Sequence, residues 1–114
     1  MVEKALKIYS NNKNGYGLAS SSVNMAIIYM NIEDHELAQD FLEAASRIYK
    51  QLGNTSDYYL TLSTLVVCYN NMGNYTKAIL VGEEALNGFK NLYGDQSHRY
   101  ATTLNNLASS YSII

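Results

Sequence analysis

The sequence predicts an all-α fold, a solenoid of about six antiparallel helices, on three observations. Several columns share one period. Ala5, Ala45 and Ala85 stand 40 residues apart, as do Tyr9, Tyr49 and Phe89. Met25, Leu65 and Leu107 keep steps of 40 and then 42, and so do Tyr29, Tyr69 and Tyr111; Ala38 and Ala78 repeat the 40-residue step. Self-similarity at such a period marks stacked supersecondary units. Within each period apolar residues recur at helical spacing, and no segment alternates as a strand does. Finally, the chain contains no proline, so no predicted helix is interrupted.

The helices follow in order. The first, at about 2–11, carries Ala5 and Tyr9 from the repeating columns, and the second, at about 16–31, carries Met25 and Tyr29. The third, 35–52, has one stripe of Ala38, Phe41, Leu42, Ala45, Ile48, Tyr49 and Leu52, with Glu36, Asp40, Glu43, Arg47 and Lys50 off it. The fourth, about 57–72, places Leu62, Leu65, Val66 and Tyr69 at helical spacing. The fifth, 75–93, continues the Ala78, Ala85 and Phe89 columns, and the sixth, 98–113, repeats the fourth with Leu104, Leu107, Ala108 and Tyr111. Short turns fall at Ile32-Glu33-Asp34 and Met72-Gly73-Asn74, with longer connectors at Gly53–Asp57 and Gly94–Ser97. Gly73 suits the left-handed residue that ends a helix, and Asp34 or Asn74 caps the next one.

The resulting organisation is a single domain over 1–114. It comprises a second helix of a repeat (1–13), two full repeats (14–53 and 54–95) and a first helix (96–114). Arrays of this kind need about three repeats and polar end caps. The last helix ends on Tyr111, Ile113 and Ile114, so the chain reads as a piece of a longer array, with self-association through the uncapped terminal helices as an alternative.

Composition removes several function classes. Lys and Arg number 8 against 10 Asp and Glu, a net charge of −2, so no basic field is present for nucleic acid or an anionic membrane. Charged residues make up 16%, against about 25% in an ordinary domain. The single cysteine, Cys68, excludes an internal disulfide. The uncharged stretch 14–32 is broken by Gly15, Gly17, Ser20, Ser21, Ser22 and Asn24, too polar to span a bilayer. No signal peptide opens the chain, and an intracellular, cytoplasmic address is expected.

Catalytic chemistry is not expected either. His35 and His98 fall in different turn regions, and Cys68 sits beside Val66 and Val67 as a core residue would. Gly15-Tyr16-Gly17 lacks the preceding strand and third glycine of a dinucleotide loop. Glu83 and Glu84 point about 100° apart on a helix. The reading is of no catalytic residues, no metal and no cofactor.

Two segments carry a family resemblance. Tyr100-Ala101-Thr102-Thr103-Leu104-Asn105-Asn106-Leu107-Ala108, followed by Tyr111, resembles the opening helix of a tetratricopeptide repeat of the 40–42-residue variety found in kinesin light chains. Met72-Gly73-Asn74-Tyr75-Thr76-Lys77-Ala78-Ile79, continuing to Glu83-Glu84-Ala85-Leu86, resembles its turn and second helix. The sequence departs from the pattern at Glu33, where glycine is usual, at Gly82, where an aromatic is usual, and at Ser22, in the column of Leu62 and Leu104.

The resemblance implies a superhelix whose first helices line a concave wall holding an extended peptide. On those helices the expected peptide-binding residues are Asn24, Ile27, Leu60, Thr64, Val67, Thr102, Asn105, Asn106 and Ser109, with Ser20, Val23 and Ser63 among the other exposed positions. An Asn amide both donates and accepts, so it pairs with peptide backbone of any sequence. Every charged residue lies before Asn14, from Glu33 to Asp57, or from Lys77 to Arg99, which predicts uncharged first helices. A terminal-carboxylate clamp needs Lys or Arg there. The expectation is therefore a non-catalytic scaffold for a neutral or apolar protein or peptide segment, the alternatives being a structural or self-association module, or a regulatory region of a larger enzyme.

Overall fold

The computed structural model describes residues 13–113. Five helices make up the described residues, with no strand among them: α1 (Lys13–Asn31), α2 (His35–Leu52), α3 (Thr55–Asn71), α4 (Tyr75–Tyr93) and α5 (His98–Ile113). The helix expected at 2–11 lies outside the described residues. Predicted and observed boundaries agree for α2, α4 and α5, whereas α1 and α3 start earlier than expected. α3 starts directly after Gly53-Asn54, where the Asn54 carbonyl accepts the Tyr58 N–H at 2.9 Å. Asp57 therefore sits in the first turn, where a carboxylate suits the positive end of the helix dipole.

Three turns share one hydrogen-bond design. The N–H of Asp34, Asn54 and Asn74 reaches back five residues to the carbonyl of Tyr29, Tyr49 and Tyr69, at 2.8, 3.0 and 2.8 Å. That bond closes a helix only if the residue before it is left-handed, and Glu33, Gly53 and Gly73 have φ of 66°, 75° and 78°. Asp34 and Asn74 then cap α2 and α4 by accepting the N–H of Leu37 and Lys77. Gly53 and Gly73 take this conformation freely, whereas a Cβ in it costs about 1–2 kcal/mol. Glu33→Gly is expected to stabilise the protein by about 1 kcal/mol, since glycine's extra unfolded-state freedom offsets part of the relieved strain. A urea midpoint that stays put or falls would contradict this.

The chain divides into two compact units, 1–58 and 59–114. In the first, α1 packs on α2. α1 turns small residues inward, with Gly15, Ala19, Ser22 and Ala26 all buried and spaced at four, three and four. Ala19, Ala45, Ile48 and Tyr49 form the core, flanked by Leu18, Val23, Leu52 and Tyr58. Small residues let the two helices approach closely enough for Tyr29 and Phe41 to stack at 5.6 Å and for Tyr16 to meet Tyr49 edge-on at 5.7 Å. Ser22 fits a column of leucines elsewhere because its hydroxyl donates to the Leu18 carbonyl at 2.8 Å, so nothing polar is left unsatisfied.

In the second unit α4 packs on α5 around the fully buried Phe89. Phe89 meets Tyr59 edge-on at 6.0 Å and stacks with Tyr93 at 6.2 Å. α3 and α5 are joined by polar contacts 36 and 40 residues apart. The Thr103 hydroxyl lies 2.8 Å from the Arg99 carbonyl and 3.1 Å from the Ser63 hydroxyl. The Ser110 hydroxyl donates to the Asn70 amide oxygen at 2.6 Å, and the Asn70 amide nitrogen donates to the Asn106 carbonyl at 3.4 Å. Partnered in this way, hydroxyls and amides can be buried at little net cost.

Candidate functional site

The first helix of each hairpin leaves one face uncommitted to its partner. On α1, Asn24 and Ile27 are exposed, while Val23 is half-buried against the core of its unit. On α5, Thr102, Asn105 and Ser109 are exposed and Asn106 is half-buried. The Asn106 backbone carbonyl accepts the Asn70 amide, and Ser109 donates to the Asn105 carbonyl at 3.3 Å. On α3, Leu60 is exposed, Thr64 and Val67 are half-buried, and Thr64 donates its hydroxyl to the Leu60 carbonyl at 3.1 Å. Of the first-helix positions expected to be exposed, Ser20, Val23, Thr64, Val67 and Asn106 are half-buried, and Ser63 departs furthest. It is buried because its hydroxyl is drawn against Thr103.

Two of the nine predicted residues come together with others in the second unit. Leu60 and Thr102 line a cavity of about 640 Å³, with Ser63, Phe89, Tyr93, Ser97, His98, Arg99 and Thr103. Three helices supply it: the start of α3, the end of α4 and the start of α5. The buried Ser63, Phe89 and Thr103 form its inner wall, and the exposed Leu60, Tyr93, His98, Arg99 and Thr102 its mouth. Ser97 fixes how α5 enters by accepting the Tyr100 N–H at 3.1 Å.

Arg99, with Lys13 at the start of α1 and Asp57 in the first turn of α3, corrects the expectation of wholly uncharged first helices. Because α5 starts at His98, Arg99 belongs to its first turn and borders the cavity. From Leu60 to Val67 on α3, and from Thr102 onward on α5, the faces carry no charge. Sequence reasoning also missed Phe89, Tyr93, Ser97 and Thr103. Phe89 was visible in the column of Tyr9 and Tyr49, but its convergence with α5 was not.

Elsewhere the titratable groups are structural. Burial pushes the Tyr49 phenol up, with the charges of Asp57 and Tyr16 acting the same way against a hydrogen bond from Ser20. Tyr111 donates its hydroxyl to the Glu83 carboxylate, which also pushes that phenol up. Cys68 is buried. Among the described residues no group of three or more His, Cys, Asp or Glu is placed to hold a metal ion, and no helix is long and apolar enough to cross a membrane.

Comparison with known proteins agrees with this architecture. A family model described as tetratricopeptide repeat matches residues 57–114, and a second model of the same description matches residues 19–52. The two matched segments correspond to α3–α5 and to most of α1 with α2. A search of curated proteins found no match.

Proposed function

Because the chain belongs to the tetratricopeptide repeat family, whose repeats generally mediate protein–protein interaction and are typically non-catalytic, we propose that it is a scaffold for a neutral or apolar polypeptide segment. Each unit offers its own uncharged face to such a segment, α1 in the first and α3 with α5 in the second. In the first unit the Asn24 amide pairs with backbone and Ile27 receives an apolar side chain; in the second the amides of Asn105 and Asn106 pair with backbone, and Leu60 and Val67 receive apolar side chains. Thr64, Thr102 and Ser109 supply small polar contacts between them. The observation that carries this reading is the exposure of Leu60 and Thr102 at the mouth of one cavity, since apolar lining with a few placed polar groups is what a binding cleft requires.

The period of 40 and 42 residues favours the kinesin-light-chain-like subtype, with repeats at 14–53 and 54–95 followed by a first helix at 96–114, in a cytoplasmic setting. Self-association is the second reading. It rests on Leu104 and Tyr111 of α5, which are 45% and 49% exposed although their counterparts Leu62 and Tyr69 are both 4% exposed.

Selection of a displayed random peptide library on the purified protein tests the reading. Enriched uncharged peptides should lose about tenfold in affinity on Leu60→Asp or on the double change Asn105→Ala/Asn106→Ala, with thermal stability unchanged. Unaltered affinity in both variants would remove the assignment.

A further inference from the structure

The cavity of the second unit has a chemistry that the reading above leaves unused. Its lining divides into an apolar part and a cationic part. Leu60 and Tyr93 present a branched side chain and an aromatic ring in front of the buried Phe89, and Arg99 stands at the mouth beside His98. No acidic residue is among the lining residues; Asp95, in the loop before α5, is not one of them. Among the described residues no ion pair engages the Arg99 guanidinium. It is permanently charged and offers five donors in a planar fork that fits a carboxylate.

The position of that charge is costly for the helix itself. Cations are disfavoured in a first turn and carboxylates are favoured there, yet the first turn of α5 holds Arg99 and no acid. α3, the equivalent helix one repeat earlier, has Asp57 in its first turn instead. Arg99 thus stands, with no acidic residue beside it in the lining, at the edge of an apolar cavity whose buried hydroxyls Ser63 and Thr103 already contact each other. At about 640 Å³ the cavity falls in the size range of sites for small organic ligands.

We propose that this cavity is a binding site for a small aryl or branched-alkyl carboxylic acid, bound through its carboxylate to Arg99 with its apolar body among Leu60, Phe89 and Tyr93. This is a ligand of a different class from the uncharged segment proposed above, and it does not depend on that segment binding.

The test is titration of the full chain with 4-phenylbutyrate and with its neutral amide, 4-phenylbutyramide, followed by calorimetry and amide chemical shifts. The acid is expected to bind about tenfold more tightly than the amide, as a charge-assisted bidentate contact implies. The largest shifts should fall at 60, 63, 89, 93, 99 and 102. Arg99→Gln should remove the preference for the acid and leave amide binding unchanged. Leu60→Trp, which fills the mouth without cutting a core contact, should weaken both ligands. Equal affinity for acid and amide, shifts centred elsewhere, or no binding at millimolar ligand would each overturn the proposal. So would tighter binding of a blocked peptide bearing an acidic residue beside Phe than of the free acid, since the site would then serve a polypeptide. Loss of library-peptide binding with the acid still bound would sink only the scaffold reading.

Discussion

Phe89→Ala is expected to cost about 3–5 kcal/mol of stability, the range for an aromatic ring removed from a packed core. Phe89 is 0% exposed, touches Tyr59 and Tyr93, and lines the inner wall of the cavity, so its loss removes buried area and two aromatic contacts together. The adjoining cavity adds to the cost, because the neighbours have open space beside them and little reason to collapse inward. Such a loss is a large share of the roughly 5–15 kcal/mol that holds a domain together. Urea unfolding followed by circular dichroism should show the midpoint fall sharply. A drop of under about 1 kcal/mol would mean that the ring is not the centre of this core.

Gly82→Tyr is expected to destabilise by about 3 kcal/mol, although it restores the residue type usual for the family. A Cβ at position 82 would lie 2.7 Å from Leu107 Cδ1 and 3.1 Å from Val66 Cγ2, both side chains of buried residues. Gly82→Ala is the informative partner. Its helix-propensity gain of about 1 kcal/mol opposes the small shift asked of Leu107, so its net effect should be near zero. The aromatic ring has no comparable offset. Thermal unfolding of the two variants separates the explanations: a tyrosine variant as stable as the parent would show that Leu107 and Val66 yield easily.

These two residues mark how far the sequence could be read. The Ala38–Leu52 stripe, the caps at Asp34 and Asn74 and the left-handed Gly73 were all legible, because each is set by hydrogen bonds and side-chain spacing within one or two helical turns. Helix starts were less so. Gly53–Asp57 looked like a connector, but a carboxylate and two hydroxyl residues are equally good first-turn residues, and α3 uses them that way. Gly82 stood out as a departure from the aromatic usual in the family, and its missing side chain is what admits Leu107.

The candidate site divides in the same way. The family resemblance implied Leu60 and Thr102 as exposed first-helix positions, and both border the cavity. The same reading placed Ser63 on the surface and Arg99 outside the recognition face. It says which way a side chain points from its own helix and nothing about what a second helix brings to it. Thr103 covers Ser63, and the meeting of the starts of α3 and α5 with the end of α4 brings Arg99 to the cavity.

The sequence alone therefore determined the all-α class, the 40-residue period, the turn chemistry and the absence of charge along most of the first helices. Those properties are local, or they repeat, so one chain displays them without being folded. The close packing at Gly82, the hydroxyl and amide contacts between α3 and α5, and the meeting of Leu60, Phe89 and Arg99 at one cavity were decided only by tertiary structure. They depend on the distance between helix axes, which the summed side-chain volumes at each contact set and no single segment records.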